Sequence, residues 1–409
     1  MSRVTVLGGC GAVGRVAVKT LAAHEAFDEV VIADRARERA EAMAAELGDG
    51  VTARALDVED GAALRRAVGD GDVVLNCTGP FYKYEKPILE AVIDAGVNYV
   101  DVCDDVDATY DALALDEAAK KAGVSALLGC GSSPGVTNLL ARFAADHLLE
   151  QTEAVDIYHA HGGEPIEGEG VIAHRFHCMS IDVPMYLEGQ LEQVGFFSEA
   201  GLALRERVSL HLLGDDIEVF PYPHPEQVTI PQHLSLRQVT NKGTVLPEAY
   251  YHLILEMVRL GLHTTEPLSV KGQTVVPYDV AIAWILKERD RILKEVRFGA
   301  QRGCVKVVVR GRKRGEPRGY VFSMASVDQA LGEGTGIPAA MGAILMLGGQ
   351  VQGPGVAPPE ACVNPLDFLA LIAPVLSSSK QQGSYEGLRV EQIDAQGQVE
   401  TVDLSAFGL

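Results

Sequence analysis

The chain has 409 residues, 47% hydrophobic and 22% charged, with a formal net charge of −21. That length exceeds one ordinary core, so two domains are expected. The acidic balance argues against a nucleic-acid or anionic-membrane surface, and no apolar run reaches the length of a membrane span. A first strand starting at Arg3 or Val4 leaves no room for a signal peptide. The seven cysteines lack short paired spacings and read as reduced thiols, so a cytoplasmic protein is expected.

Val4-Thr5-Val6-Leu7 reads as a buried strand, and Gly9, Gly11 and Gly14 then set the spacing G-x-G-x-x-G. Gly9 permits a tight turn, Gly11 lets a pyrophosphate approach the backbone, and Gly14 lets the next helix pack closely on the sheet. Ala12 and Val13 complete the turn. The helix from Arg15 to His24 would present free N–H groups to phosphate. A second strand, Val30 to Ala33, closes at Asp34, 20 residues after Gly14. A carboxylate there accepts hydrogen bonds from an adenosine ribose and repels a 2′-phosphate; Arg35, directly after it, is the kind of residue that holds such a phosphate instead. The balance leans to NAD over NADP as the cofactor.

Further strands are expected at Val51–Leu56, Asp72–Asn76, Asn98–Val102 and Val124–Leu128, alternating with helices over 36–47, Pro87–Ala95 and Ala108–Ala122. The alternation predicts an α/β fold with a doubly wound parallel sheet, whose ligand lies beyond the carboxyl ends of the strands. Asp57, the stretch Cys77-Thr78-Gly79-Pro80, the pair Asp104-Asp105 and the loop 129–138 should converge there. Ser133 is expected to cap a helix with Pro134 as its first residue.

After His147 the pattern changes. Ala154–Ala160 alternates like a strand with one wet face and ends at His161-Gly162-Gly163; a cluster of His174, Arg175 and His177 follows. Arg302–Arg310 and Gly319–Met324 read as a hairpin. Residues 139–325 are therefore expected to form an inserted α+β domain with an antiparallel sheet, for substrate binding and dimerisation. Gly332–Gly348 reads as a helix opened by Gly334–Pro338, with Pro338 near its first position. That helix is expected to return to the first domain, making residues 1–138 a dinucleotide-binding domain completed by 326–375. The tail, 376–409, suggests a hairpin.

Four stretches together resemble the saccharopine dehydrogenase-like oxidoreductases, a group that includes carboxynorspermidine dehydrogenase and lysine 6-dehydrogenase. They are Gly9-x-Gly11-x-x-Gly14 with Asp34-Arg35; Asn76-Cys77-Thr78-Gly79-Pro80-Phe81 running on through Ala95–Asp101; Ser133-Pro134-Gly135-Val136-Thr137-Asn138; and Gly162-Gly163-x-Pro165 with Gly336-Ile337-Pro338-Ala339-Ala340. The resemblance is good over residues 1–180, thin over 181–300 and fair around 332–370. It implies a Rossmann domain completed by a C-terminal helix, a second domain that covers the cofactor, and a homodimer. It also implies NAD(P)-dependent hydride transfer at a C–N bond of an amino-acid-like substrate: an amine is oxidised to an imine and hydrolysed, or an amine and a carbonyl compound are reductively condensed. In the saccharopine-forming members a tyrosine, an aspartate and a cysteine stand approximately where this chain has Asp104, Ser133 and His161, which argues against saccharopine itself as the substrate.

Imine chemistry needs a group that moves a proton to and from nitrogen or water. His161 is the expected general acid/base and His177 the next candidate. Asp104 and Asp105 either hold a substrate ammonium, orient His161, or cap the helix near Asp107. Arg175 is the expected carboxylate clamp, since a guanidinium binds carboxylate in bidentate fashion. Catalysis is thus expected at His161, Asp104 and His177, and substrate contact at Asp105, Ser133, Asn138 and Arg175, with no metal. Two other readings stay open: a different reaction on the same fold, at an alcohol or in a lyase or synthase holding NAD tightly, and a non-catalytic NAD(H) sensor. The titratable residues gathered at the expected crevice favour an enzyme.

Overall fold

Short apolar runs such as Val73-Val74-Leu75-Asn76, all four buried, form strands covered on both faces. The computed structural model describes residues 1–165, 167–327, 329–380 and 385–407. Its first half alternates β1 (Arg3–Leu7), α1 (Gly14–Ala23), β2 (Glu29–Asp34), α2 (Arg37–Leu47), β3 (Val51–Ala55) and α3 (Gly61–Val68). It continues with β4 (Val73–Asn76), α4 (Phe81–Ala95), β5 (Asn98–Asp101), α5 (Val106–Leu113), α6 (Asp116–Ala122) and β6 (Ser125–Leu127). The strands lie parallel in the order β6-β5-β4-β1-β2-β3, and a late strand, Gly355–Ala357, adds a seventh beside β6. The single helix expected over Ala108–Ala122 is two. Asp116 restarts it, and its carboxylate accepts the Val356 N–H at 2.9 Å, tying α6 to the seventh strand.

The helix expected over Pro87–Ala95 begins at Phe81 and takes Pro87 inside, and two further proline-based helix starts are corrected. Helix α7 (Val136–Phe143) begins after the cis Ser133–Pro134 bond, not at Pro134. Gly135 carries the turn at φ +124°, where a Cβ would sit 2.1 Å from the Gly131 carbonyl oxygen. Asn138 Oδ1 accepts the Gly135 N–H at 2.8 Å, so Asn138 and not Ser133 caps the helix. The helix Leu331–Leu347 starts seven residues before Pro338 and takes the proline inside, with the Glu333 carboxylate accepting the Ala330 N–H at 3.4 Å. This helix crosses α1 closely: a Cβ at Gly336 would lie 2.7 Å from the Val13 carbonyl oxygen.

The second sheet is mixed, where an antiparallel one was expected. Strand β7 (Gln151–Gly162) pairs antiparallel with Arg302–Lys313 but parallel with Gln238–Leu246. The chain between the two parallel strands, residues 163–237, includes α8 (Glu169–Ser180) and is long enough for a crossover. Arg302–Lys313 and Glu316–Ser326 form the hairpin, and the tail strand Tyr385–Ile393 pairs with the latter and with Val399–Thr401. The tail is thereby built into the second sheet. Among the described residues no helix is long and apolar enough to cross a membrane.

Asn138 is fully buried and donates to Glu360 Oε2 at 2.8 Å, so it organises the core and does not meet the cleft. Burial pushes the Glu360 carboxyl up to about 7. A raised acid favours the folded state below its unfolded value, and that advantage is lost as pH rises through about 7. Glu360→Gln should therefore stabilise the protein at pH 8, by roughly 1–3 kcal/mol, and give little gain at pH 5. Thermal melts at the two pH values check this; equal shifts would contradict it.

Candidate functional site

A cleft of about 1120 Å³ opens between the carboxyl edge of the parallel sheet and the end of β7. Along its nucleotide half run Cys10, Gly11, Ala12 and Val13 from the turn, Asp34 and Arg35 after β2, Asp57 after β3, and Cys77 to Pro80 after β4. Gly9 and Gly14 work from behind: a Cβ at Gly14 would lie 2.3 Å from the Gly8 carbonyl oxygen, and one at Gly9 2.8 Å from the Ile32 side chain. At Gly11 a Cβ would meet only the Gly8 carbonyl oxygen, at 3.3 Å. Its open side is the cleft.

The residues present fit a dinucleotide. Among the described residues the Ala12 and Val13 N–H groups have no acceptor, and Thr78 Oγ1 is buried on the cleft wall without a partner. Asp34 accepts the Cys10 N–H and the Ala36 N–H, both at 2.9 Å, which fixes its carboxylate beside the turn. Arg39 Nη2 donates to the Cys10 carbonyl at 2.9 Å, and Arg35 lines the cleft near it. Burial pushes the Cys77 thiol up to about 12, and burial with the Asp34 charge pushes Cys10 up to about 11. Both are inert at neutral pH.

The other half of the cleft belongs to histidines and arginines. His161, at the end of β7, holds Glu164 through Nδ1. Burial alone would raise the Glu164 carboxyl, but His161 outweighs it and carries it down to about 2. Arg289, on the helix Pro277–Glu295, donates to the Glu164 carbonyl and pairs with Glu167. Glu167 also binds Arg175 Nη1 and accepts the Tyr250 hydroxyl at 3.0 Å. Arg175 is only 2% exposed, yet it lines the cleft, and its Nη2 has no partner among the described residues.

Of the two α8 histidines, the one that reaches the cleft is His174, not His177. His177 stacks on Tyr82, ring centroids 4.2 Å apart, with Nε2 3.0 Å from Asp107, and does not line the cleft. His174 sits between two carboxylates: Nδ1 is 2.9 Å from Asp105 and Nε2 is 3.4 Å from Asp104. Burial opposes its charge, but Asp104, joined by Asp105, holds His174 protonated well above the usual histidine range. Asp105 is 2% exposed, accepts the Tyr82 N–H at 3.0 Å and lies behind His174, so neither a substrate contact nor a side-chain cap of α5 falls to it. Asp104 does line the cleft.

Ser133 lines the cleft as well, but its hydroxyl is engaged, donating to Glu226 Oε1 at 2.5 Å and lying 3.2 Å from His224 Nδ1. His224, His174 and the buried Glu226 were not singled out from the sequence. Glu226 and His224 belong to residues 181–300, where the family resemblance is thin. The sole signal for His174 was the cluster on α8, where a position three residues away was chosen.

A parallel sheet with a glycine turn, a dinucleotide-sized cleft and titratable side chains facing it define an NAD(P)-binding oxidoreductase. The saccharopine dehydrogenase NADP binding domain family matches residues 4–127. A carboxyaminopropylagmatine dehydrogenase of Synechocystis sp. is 26% identical over 390 residues, covering 90% of this chain and 95% of that protein. A carboxynorspermidine synthase of Vibrio cholerae is 23% identical over 398 residues, covering 88% and 92%. Among solved structures, the apo saccharopine dehydrogenase (L-Glu forming) of Saccharomyces cerevisiae superposes with a TM-score of 0.65 at 17% identity, over 98% of this chain and all of that one. The chain is thus similar over most of its length to saccharopine dehydrogenase-like oxidoreductases.

Proposed function

We propose that the protein reduces the imine formed between an amine and a carbonyl compound, or runs the reverse oxidation, with at least one partner carrying a carboxylate. The observation that carries this reading is Arg175: a buried guanidinium on the cleft wall with one nitrogen left unpartnered. An unpartnered buried charged donor is costly unless a ligand acceptor completes it. The compounds named in the relatives, carboxynorspermidine and carboxyaminopropylagmatine, support a carboxylated secondary amine as the product.

Bound reduced nicotinamide would supply the hydride. The chain's own residues do the rest. Arg175 fixes the carboxylate. The His161–Glu164 pair moves the proton between nitrogen and water, with Glu164 holding the ring by Nδ1 so that Nε2 is free for exchange. Asp34 supports NAD over NADP, as its fixed carboxylate would face the ribose and repel a 2′-phosphate. Asp34→Ala should weaken NADH binding by about tenfold or more and NADPH binding far less; equal losses in a fluorescence titration would refute the ribose role. The reaction itself is tested by amine-dependent oxidation of NAD(P)H in the presence of a keto acid or semialdehyde. Oxidation that needs no amine would favour alcohol chemistry.

A further inference from the structure

The geometry points to a divalent-metal site, fitted to Zn²⁺, formed by Asp104, His174 and His224 inside the cleft. One ligand atom from each lies within 4.8 Å of the others. Ligands on one tetrahedral zinc ion stand about 3.3–3.5 Å apart. The His174 Nε2–Asp104 edge, at 3.4 Å, already has that length, and His224 has only to close in.

The stronger argument is what stands behind the two rings. A metal-binding histidine presents one nitrogen to the ion while the other donates to an oriented acceptor. His174 Nδ1 is held by the buried Asp105 at 2.9 Å. His224 Nδ1 lies 3.2 Å from Ser133 Oγ, and that hydroxyl donates onward to Glu226 Oε1 at 2.5 Å. Both backing carboxylates are almost fully buried, Asp105 at 2% and Glu226 at 0%. In His174 this leaves Nε2 as the atom turned toward Asp104. Two imidazoles and the Asp104 carboxylate thus come together on the cleft wall. Two imidazoles and a carboxylate, with the fourth position open to the cleft, make the donor set of a catalytic rather than a structural zinc site. Other groupings fit less well: Asp105 in both is already committed to His174 and the Tyr82 N–H.

This inference stands apart from the amine reading, because its readout is metal binding and not turnover. Tag-free, dialysed protein is titrated with Zn²⁺ by calorimetry and with Co²⁺ by visible absorption. The expected result is one equivalent per chain and a tetrahedral Co²⁺ spectrum. His224→Ala should abolish the spectrum, and Glu226→Gln, which supplies no ligand but holds His224 from behind with Oε2 3.5 Å from Nδ1, should weaken Zn²⁺ about 10–100-fold. NADH binding retained in each variant shows that it is folded. Should His224→Ala fail to fold, Asp104→Asn removes a ligand at the cleft surface and carries the same expectation. Absence of stoichiometric binding, or binding that is indifferent to Glu226→Gln and to loss of a ligand, overturns the site.

Discussion

His161→Asn should reduce turnover by about a hundredfold or more while leaving NADH affinity within about twofold. The ring sits at the end of β7, half-buried, and the nucleotide half of the cleft is built from other strands. Removing the imidazole therefore removes proton transfer without touching the dinucleotide turn. Glu164→Gln should act in the same direction through the ring it holds, and more weakly, because the proton-exchanging nitrogen is still present. The check is a pair of measurements on each variant: single-turnover hydride transfer and NADH titration. Unchanged turnover in His161→Asn would remove this residue from the mechanism.

Arg175→Lys should raise the KM of the carboxylated partner by about 10–100-fold, with a smaller effect on kcat, since a lost charge-assisted hydrogen bond is worth about 1.5–3 kcal/mol. Lysine keeps the charge beside Glu167 but loses the fork that presents a second nitrogen to the cleft. Arg175→Met should go further and destabilise the fold. Breaking a buried pair by removing one partner costs about 3–5 kcal/mol, offset in part here because Arg289 still neutralises Glu167. Comparing KM for a keto acid with that for the corresponding neutral ester or amide separates the two roles. If the lysine variant loses activity equally on both, Arg175 is a packing residue only.

The parts of this protein that were legible in the sequence are those whose physics is local. Strand, glycine turn, helix and Asp34 lie within about thirty residues, and each step constrains the next. Asp104 and His161 reach the cleft because the strands β5 and β7 end there. What was not legible depends on distant partners. Pro134 and Pro338 read as helix starts, but Asn138 caps one helix and Glu333 the other, and only the fold shows which side chain is free to do so. His177 and His174 lie one turn apart on α8, and the choice between them is made by Asp107 and Asp105 on another element. Asn138 looked like a ligand contact in a glycine-rich loop; Glu360, more than two hundred residues later, claims it for the core. The mixed second sheet turns on a parallel pairing across residues 163–237, where hydrophobic periodicity carries little information about partners.

The most direct measurement is the NADH- and NADPH-consuming rate with amine and carbonyl compound added separately and together, with the product isolated. The account predicts consumption only when both are present, at least one of them carboxylated, and one secondary amine formed per nicotinamide oxidised. Tight NADH binding without turnover across such a panel, or reduction of the carbonyl compound alone to an alcohol, would contradict it.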